Sequence, residues 1–234
     1  WKSAGDRMRL IAMTTDENQG KVIITTTHSD SISKSSVETG YTVDPDGAIK
    51  IERQINITDN RLPEIPRIGV KFSLTGDFKN VSWFGRGPHE SYWDRKQSAA
   101  IGFYSGSVWD QTFQYVRPQE TGNKTDVYWM ALETDKAGLM AIGLPQFDGS
   151  VHQYPYEDLD YYPGSQKHGK LDIVSKNQTD WLIDYKQMGV GGDNSWGAKP
   201  MKKYTLYPGL YEHSFILIPY RVGSDLNRVS KRRI

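Results

Sequence analysis

Fourteen residues near the end of the chain, Gln187 to Pro200, read QMGVGGDNSWGAKP and gather the residue types best suited to chemistry. Four glycines permit positive φ and close backbone approach. Asp193, Asn194 and Ser195 supply polar groups, and Trp196 supplies a flat apolar ring. Three readings compete: a phosphate cradle, a tight structural turn, and a loop that presents Trp196. A phosphate loop needs Gly-Lys-Ser/Thr after four variable residues, and a dinucleotide turn needs G-x-G-x-x-G between a strand and a helix. GVGGDNSWG has no lysine and no helical pattern after it, so phosphate drops out. What remains is a loop whose Asp193 and Asn194 suit turn closure, with Trp196 either anchored inward or displayed outward.

Other site chemistries find less support. Cysteine is absent, which removes disulfides, thiolate zinc sites and a Cys nucleophile. His89, His152 and His168 lack metal-ligand spacing, so neither a metal nor a cofactor is expected. Lys and Arg number 29 against 28 Asp and Glu, a balance that gives no reason to expect nucleic acid or an anionic membrane as partner. No apolar run reaches the roughly 18 to 20 residues of a membrane helix. The local exception to the balance is RVSKRRI at 228–234, and a basic tail over 222–234 reads as a solvated end.

The elements that must position this loop have a period of two. KVIITTTHS (21–29), AIKIERQINIT (48–58), GVKFSLTG (69–76), LDIVSK (171–176), TDWLIDYKQ (179–187) and YEHSFILIPY (211–220) are short and rich in β-branched and aromatic residues. Turn signals separate them: DPDG at 44–47, TGD at 75–77, DKAG at 135–138, and YPG at 162–164 and 207–209. The spacing predicts an all-β antiparallel sandwich forming one domain over 1–234, with NVSWFGRG (80–87) as a strand entering one short helix at 89–99. Aromatics make up 12% of the chain, and many stand beside polar or turn residues, as in HQYPYEDLDYYPGSQKH and DNSWG. Aromatic faces pack on the C–H surface of a sugar ring while neighbouring Asp, Asn and Gln take its hydroxyls, so carbohydrate is the expected ligand class; core packing is the competing use of these rings.

The stretch LPEIPRIGVKFSLTGDFKNVSWFGRGPHESYWDRKQSAAIGFYSGSV (62–108), then YVRPQETGNKTDVYWMAL (115–132), then MGVGGDNSWG, resembles in order the last domain of β-galactosidases of glycoside hydrolase family 2. The similarity runs from about residue 1 to 221. It implies a large antiparallel β supersandwich, galactose mutarotase-like, standing at the C-terminal end of a longer enzyme. The abrupt start at Trp1 fits a piece of such a chain and leaves the compartment open, cytoplasm and periplasm both being compatible; the family's domain tends to begin earlier, with an Arg-Ala-Pro-type segment absent here, so its first sheet is not expected to be complete. In the family both catalytic carboxylates lie in a (β/α)₈ barrel outside this sequence. No catalytic residue is therefore expected here, and the chain alone is expected to be inactive. Retaining hydrolysis needs two carboxyl groups about 5 to 5.5 Å apart, and nothing in the sequence pairs Glu90, Glu120 or Asp193 that way.

The resemblance also implies that Trp196 reaches the substrate pocket. Asp193, Asn194 and Ser195 then belong to the same substrate-binding loop, with Gly191 and Gly192 giving the bend. Gln119, Glu120 and Asn123, in RPQETGNKTD, are further candidates for the pocket mouth, with a structural turn as the competing reading. Glu90, Asp94 and Arg95 read as structural ion pairs. Expected partners are a β-galactoside or another carbohydrate, the remaining domains of the parent enzyme, and further copies in a parent oligomer. A stand-alone carbohydrate-binding module and a mutarotase-type epimerase are the alternatives; no block matches the mutarotase catalytic pattern.

Overall fold

The computed structural model describes residues 1–113, 115–160, 173–194 and 196–234. Among the described residues eleven strands run in chain order: β1 (Arg9–Asn18), β2 (Lys21–Asp30), β3 (Ser35–Val43), β4 (Ile49–Ile57), β5 (Arg67–Thr75), β6 (Asn80–Gly87), β7 (Ala100–Ser107), β8 (Lys124–Glu133), β9 (Ala137–His152), β10 (Gln178–Gln187) and β11 (Leu210–Arg221). Two single-turn helices, α1 (Ala4–Arg7) and α2 (Leu226–Val229), stand near the two ends. Every pairing is antiparallel, and the main path runs β1-β2-β3-β4-β11-β9-β8-β6-β7. The sixteen-residue β9 pairs over Ala137–Gly143 with β11, between Gly138 and Gly149 with β8, and through Asp148–His152 with β10, which pairs in turn with β5.

Packing follows from that branch. The β5–β10 ribbon folds over one face of the main sheet, so that Trp181 and Ile183 of β10 and Phe72 of β5 meet Met130, Ile51 and Phe215 in the largest core cluster. Phe72 and Phe215 meet edge to face with centroids 6.3 Å apart. The opposite face of the central strands buries Trp129, Met140, Ile216 and Ile218 under the C-terminal segment. β11 is thus buried on both sides, which is why its centre reads Phe-Ile-Leu-Ile with no polar residue between. Each fully buried side chain of this kind stabilises the fold by about 1.5 to 3 kcal/mol.

Three expectations need correction. Residues 89–99 form no helix: Tyr92 and Arg95 exchange backbone hydrogen bonds of 3.0 and 2.8 Å in a tight turn, and the buried Tyr92 pins it. The segment lacks an apolar stripe of helical period, so nothing favours a helix over that turn. In LDIVSK, residues 173–176 form no strand, while 171 and 172, like the turn at 162–164, lie outside the described residues. The basic end is docked: Val229 and Ile234 pack on the second core cluster, and Arg232 reaches Asp44 at 3.1 Å and also pairs with Asp46. Among the described residues no helix is long and apolar enough to cross a membrane.

Candidate functional site

The glycine-rich loop leaves the end of β10 and is tied down at its base. Met188 N–H donates to Pro66 O (2.9 Å) and Gly189 N–H to Tyr204 O (2.8 Å). The Asp94 carboxylate then accepts from the backbone N–H groups of Val190 (3.1 Å) and Gly191 (2.7 Å). Asp94 is therefore a backbone anchor, whereas the expected ion pair forms between Arg95 and Glu90 at 2.6 Å. A Cβ at Gly189 would lie 2.6 Å from Asp94 Oδ2, and one at Gly192 would lie 2.0 Å from Ala198 O. Both positions need glycine because backbone and carboxylate approach where a side chain would stand. Asn194 Oδ1 accepts from Trp196 N–H at 2.8 Å, the side-chain turn its residue type suggests.

Above this base the tip is open. Asp193 and Asn194 are exposed, and the Trp196 side chain is 92% exposed. Ser195 lies outside the described residues. Of the other tryptophans, Trp83, Trp129 and Trp181 are buried and Trp1, Trp93 and Trp109 half-buried, so Trp196 alone stands free of the core.

The 119–123 segment sits on the other side of the same 88–95 corner. Glu90 accepts from Gly122 N–H (2.8 Å) and Thr121 Oγ1 (3.2 Å), and the Tyr115 hydroxyl donates to it as well. Asn123 is fully buried, with Nδ2 donating to Ser91 O at 2.9 Å, which makes it a structural link between the two segments. Gln119 and Glu120 instead line a cavity of about 480 Å³ beside Trp1, Arg67 and Tyr156. The corner therefore ties the bases of both segments, with Asp94 holding one and Glu90 the other. Glu90, Glu120 and Asp193 are committed to separate environments and form no facing pair.

Under that cavity lies a buried polar network centred on Arg67. Its Nε donates to Asp184 Oδ2 at 3.0 Å, its Nη2 to Gln187 Oε1 at 3.1 Å, and its Nη1 stands 3.5 Å from Glu120 Oε2. The guanidinium lies 5.0 Å from the Tyr156 ring centroid, and the Tyr156 hydroxyl donates to Glu120. Asp184 and Asp148 are cross-strand partners on β10 and β9. Burial pushes Asp184 up to about 7 and Asp148 up to about 6, while Arg67 opposes the shift at Asp184. His152, buried between Tyr154 and Tyr156, is held down to about 3 by burial and the nearby Arg67 charge. His89 bonds Ser98 at 3.0 Å, and His168 lies outside the described residues. Among the described residues no three His, Asp or Glu side chains gather as metal ligands.

The network was missed in the sequence although a signal was there. Asp184 closes the apolar run Trp-Leu-Ile-Asp, and an acid at an inward strand position is seldom buried without a partner. Chemically the network is a scaffold: each carboxylate is bonded or desolvated, and Arg67 crosslinks the β5–β10 ribbon to the 119–120 segment.

The family model for the beta-galactosidase small chain matches residues 1–217, from the N-terminal turn into the centre of β11. The chain belongs to the beta-galactosidase small chain family. A β-galactosidase of Priestia megaterium is 38% identical over 221 residues, covering 94% of this chain and 21% of that protein. A β-galactosidase of Halalkalibacterium halodurans is 30% identical over 211 residues, 88% of this chain and 20% of its own. This small-chain member thus spans about a fifth of the length of the curated relatives it matches. Among solved structures, galactose 1-epimerase from Lactobacillus acidophilus superposes with a TM-score of 0.46 at 8% identity, over 89% of this chain and 66% of that one. The small-chain match includes the whole 187–200 loop, the 88–95 corner that anchors it and the Arg67 network.

Proposed function

We propose that the chain is a non-catalytic domain of a β-galactosidase acting on terminal β-D-galactosides, and that it supplies Trp196 to the substrate pocket. The catalytic carboxylates of a retaining mechanism then belong to the remaining four fifths of the enzyme, and the chain alone is inactive. The observation that carries this reading is the combination of a rigid base and a bare tip. A loop bonded to Asp94, Pro66 and Tyr204 holds an indole that is 92% exposed. Exposing a tryptophan forgoes its burial energy, and a displayed ring held at a fixed base is suited to stacking on a ligand. An indole face tolerates different sugars because it reads C–H surface rather than hydroxyl positions, so it suits the non-galactose part of a substrate. Asp193 and Asn194 are both exposed beside it, which supports a role for them in meeting that sugar's hydroxyls.

The test is Trp196→Ala in the assembled β-galactosidase. Losing a stacked sugar costs about 1 to 3 kcal/mol, so KM for a disaccharide should rise roughly 5- to 150-fold. KM for a chromogenic galactoside with a small leaving group should change less, and the unfolding midpoint should not move, because the side chain lies outside the core. An unchanged disaccharide KM, or a collapse in stability, refutes the role.

A further inference from the structure

The ladder between β9 and β11 opens at one end. The two strands pair only as far as Gly143 and Phe215, and beyond that point Ser214, His213 and Glu212 keep β4 as their one partner strand among the described residues. Between its pairs with Trp129 and Val127, β9 carries Gly143–Gln146 where β8 carries only Tyr128, and it then joins β10 at Asp148. The surplus residues leave a gap of about 220 Å³, lined from β8, β9, β10 and β11. The irregular register of β8 sets Asp126 at its side, with φ at 54°. Bulges and left-handed residues other than glycine gather beside ligand sites.

Two buried polar side chains line this gap with their hydrogen-bonding capacity unspent. His213 is 3% exposed, and neither of its ring nitrogens has a hydrogen-bond partner among the described residues. Burial and the nearby Arg53 charge hold its pKa down to about 4, so at pH 7 the ring is neutral and offers one donor and one acceptor. Asp148 is 5% exposed, and among the described residues its carboxylate accepts only a long contact of 3.5 Å from the Gln187 N–H. Buried groups of this kind are paired as a rule. Nearer the solvent, the Tyr185 ring is 37% exposed and Glu212 is exposed beside it.

The charges around the gap are matched. Asp126 is held by both Arg86 and Lys96, and Lys186 acts on Asp148, so with Glu212 three carboxylates stand beside three cations. An added ion would upset that match, and a neutral ligand does not. The ligand must bring enough groups that donate and accept to serve His213, Asp148 and Glu212 together, and an apolar face for Tyr185. A protein side chain carries its polar atoms at one end and cannot reach all of these. A sugar ring carries hydroxyls around its whole edge, with a C–H face beside them. The gap has room for about seven waters at roughly 30 Å³ each, which is the size of one such ring. We propose that the gap between β9 and β11 binds one neutral aldose ring, its C–H face on Tyr185 and its hydroxyls on Asp148 and His213. Trp196 takes no part in it.

An NMR titration of the isotope-labelled full chain tests this, with Trp196→Ala in place so that stacking at that ring does not contribute. D-galactose or D-glucose should shift the amides of Tyr185, Lys186 and Ser214 saturably, with a Kd on the order of millimolar. D-glucuronate and D-glucosamine, which each add a charge, should bind about tenfold more weakly or worse. Tyr185→Ala, at a half-exposed position, should weaken binding about fivefold or more. His213→Phe keeps a ring in the gap and removes both nitrogens. Binding should then be lost while the unfolding midpoint stays level or rises, because a buried polar group without a partner is gone; if that variant does not fold, Tyr185→Ala decides alone. In the assembled β-galactosidase, equilibrium dialysis with the sugar that binds should count one molecule fewer per chain in Tyr185→Ala than in the wild type. Shifts that do not saturate by about 100 mM of either sugar, or charged sugars that bind as well as neutral ones, overturn the proposal. So does binding indifferent to the substitutions, or an equal count in dialysis, the sign that another part of the enzyme fills the gap.

Discussion

Asp94 is the residue on which the presentation of Trp196 depends, and removing it gives a graded outcome. Its carboxylate receives two backbone N–H groups, from Val190 at 3.1 Å and Gly191 at 2.7 Å, with no side chain between. Hydrogen bonds to a charged acceptor are worth roughly 1.5 to 3 kcal/mol each where water is excluded. Asp94 is half-buried, so the pair together should hold the loop by about 2 kcal/mol, a factor of roughly 30 in its opening equilibrium. In Asp94→Ala, amide exchange at Val190 and Gly191 should therefore speed up about 30-fold, while amides in β10 keep their protection. KM for a disaccharide should rise in the assembled enzyme with a smaller change in kcat, since the loop must then be ordered by substrate. Asp94→Asn keeps one acceptor oxygen and should fall between. Gly189 supplies a cross-check: Gly189→Ala places its Cβ 2.6 Å from Asp94 Oδ2, so that substitution should be milder in an Asp94→Ala background than alone. Unchanged exchange at Val190 and Gly191 would refute the anchor, and additive effects of the two substitutions would refute the steric argument.

Two further outcomes follow from the buried network. Arg67→Met removes the cation that faces Asp184 and Glu120, and breaking such a pair should cost about 3 to 5 kcal/mol in urea unfolding. The loss should be greater at pH 8 than at pH 6, because Asp184, already pushed up to about 7 by burial, can take a proton at the lower pH; a loss independent of pH would refute this. Asp148 has its carboxyl raised by burial to about 6, against about 3.9 for an unfolded aspartate, so between those values the folded state binds one more proton than the unfolded. Its contribution to stability is full below about pH 4 and lost as pH rises through 6. Asp148→Asn removes that term, and the slope of unfolding free energy against pH should rise by about 1.4 kcal/mol per unit between pH 4 and 6. Equal slopes for wild type and variant at pH 4.5 and 5.5 would refute the assignment.

The strands legible in the sequence were those with one wet face or strong β-branching. β2, β4, β5, β10 and β11 were read to within two residues at each end, and NVSWFGRG coincides with β6. β9 was not read, and its own composition says why: Ala137-Gly-Leu-Met-Ala-Ile-Gly-Leu-Pro carries small residues and a proline where the strand is covered on both faces. Gly143 lies there because a Cβ would meet the Gln146 backbone at 2.6 Å, a tertiary demand that looks locally like a turn. β1 was missed for the opposite reason. With every side chain exposed, no burial pattern is imposed on it, so Arg-Leu-Ile-Ala-Met-Thr-Thr lacks the alternation that marks a half-buried strand. The turn at 92–95 was mistaken for a helix because the charges that decide it, Glu90 and Asp94, act on backbone groups about 30 and 100 residues away.

The same distinction separates what was legible of the candidate site. The loop around Trp196 was legible because glycines and a side-chain turn are local signals, but they left open whether its ring is anchored inward or displayed outward. Its anchor was not found, since Asp94 lies in another block and looks like half of a surface ion pair. The two facts need each other physically. An exposed indole on an untethered glycine loop would lose much of any stacking energy to the entropy of ordering the loop, at about 1 to 2 kcal/mol for each backbone residue fixed. Val190 and Gly191 are already bonded to the 88–95 corner, and Asn194 closes a further turn through the Trp196 N–H. In the proposed role, preorganisation at the base spares an exposed side chain the cost of first folding its own loop.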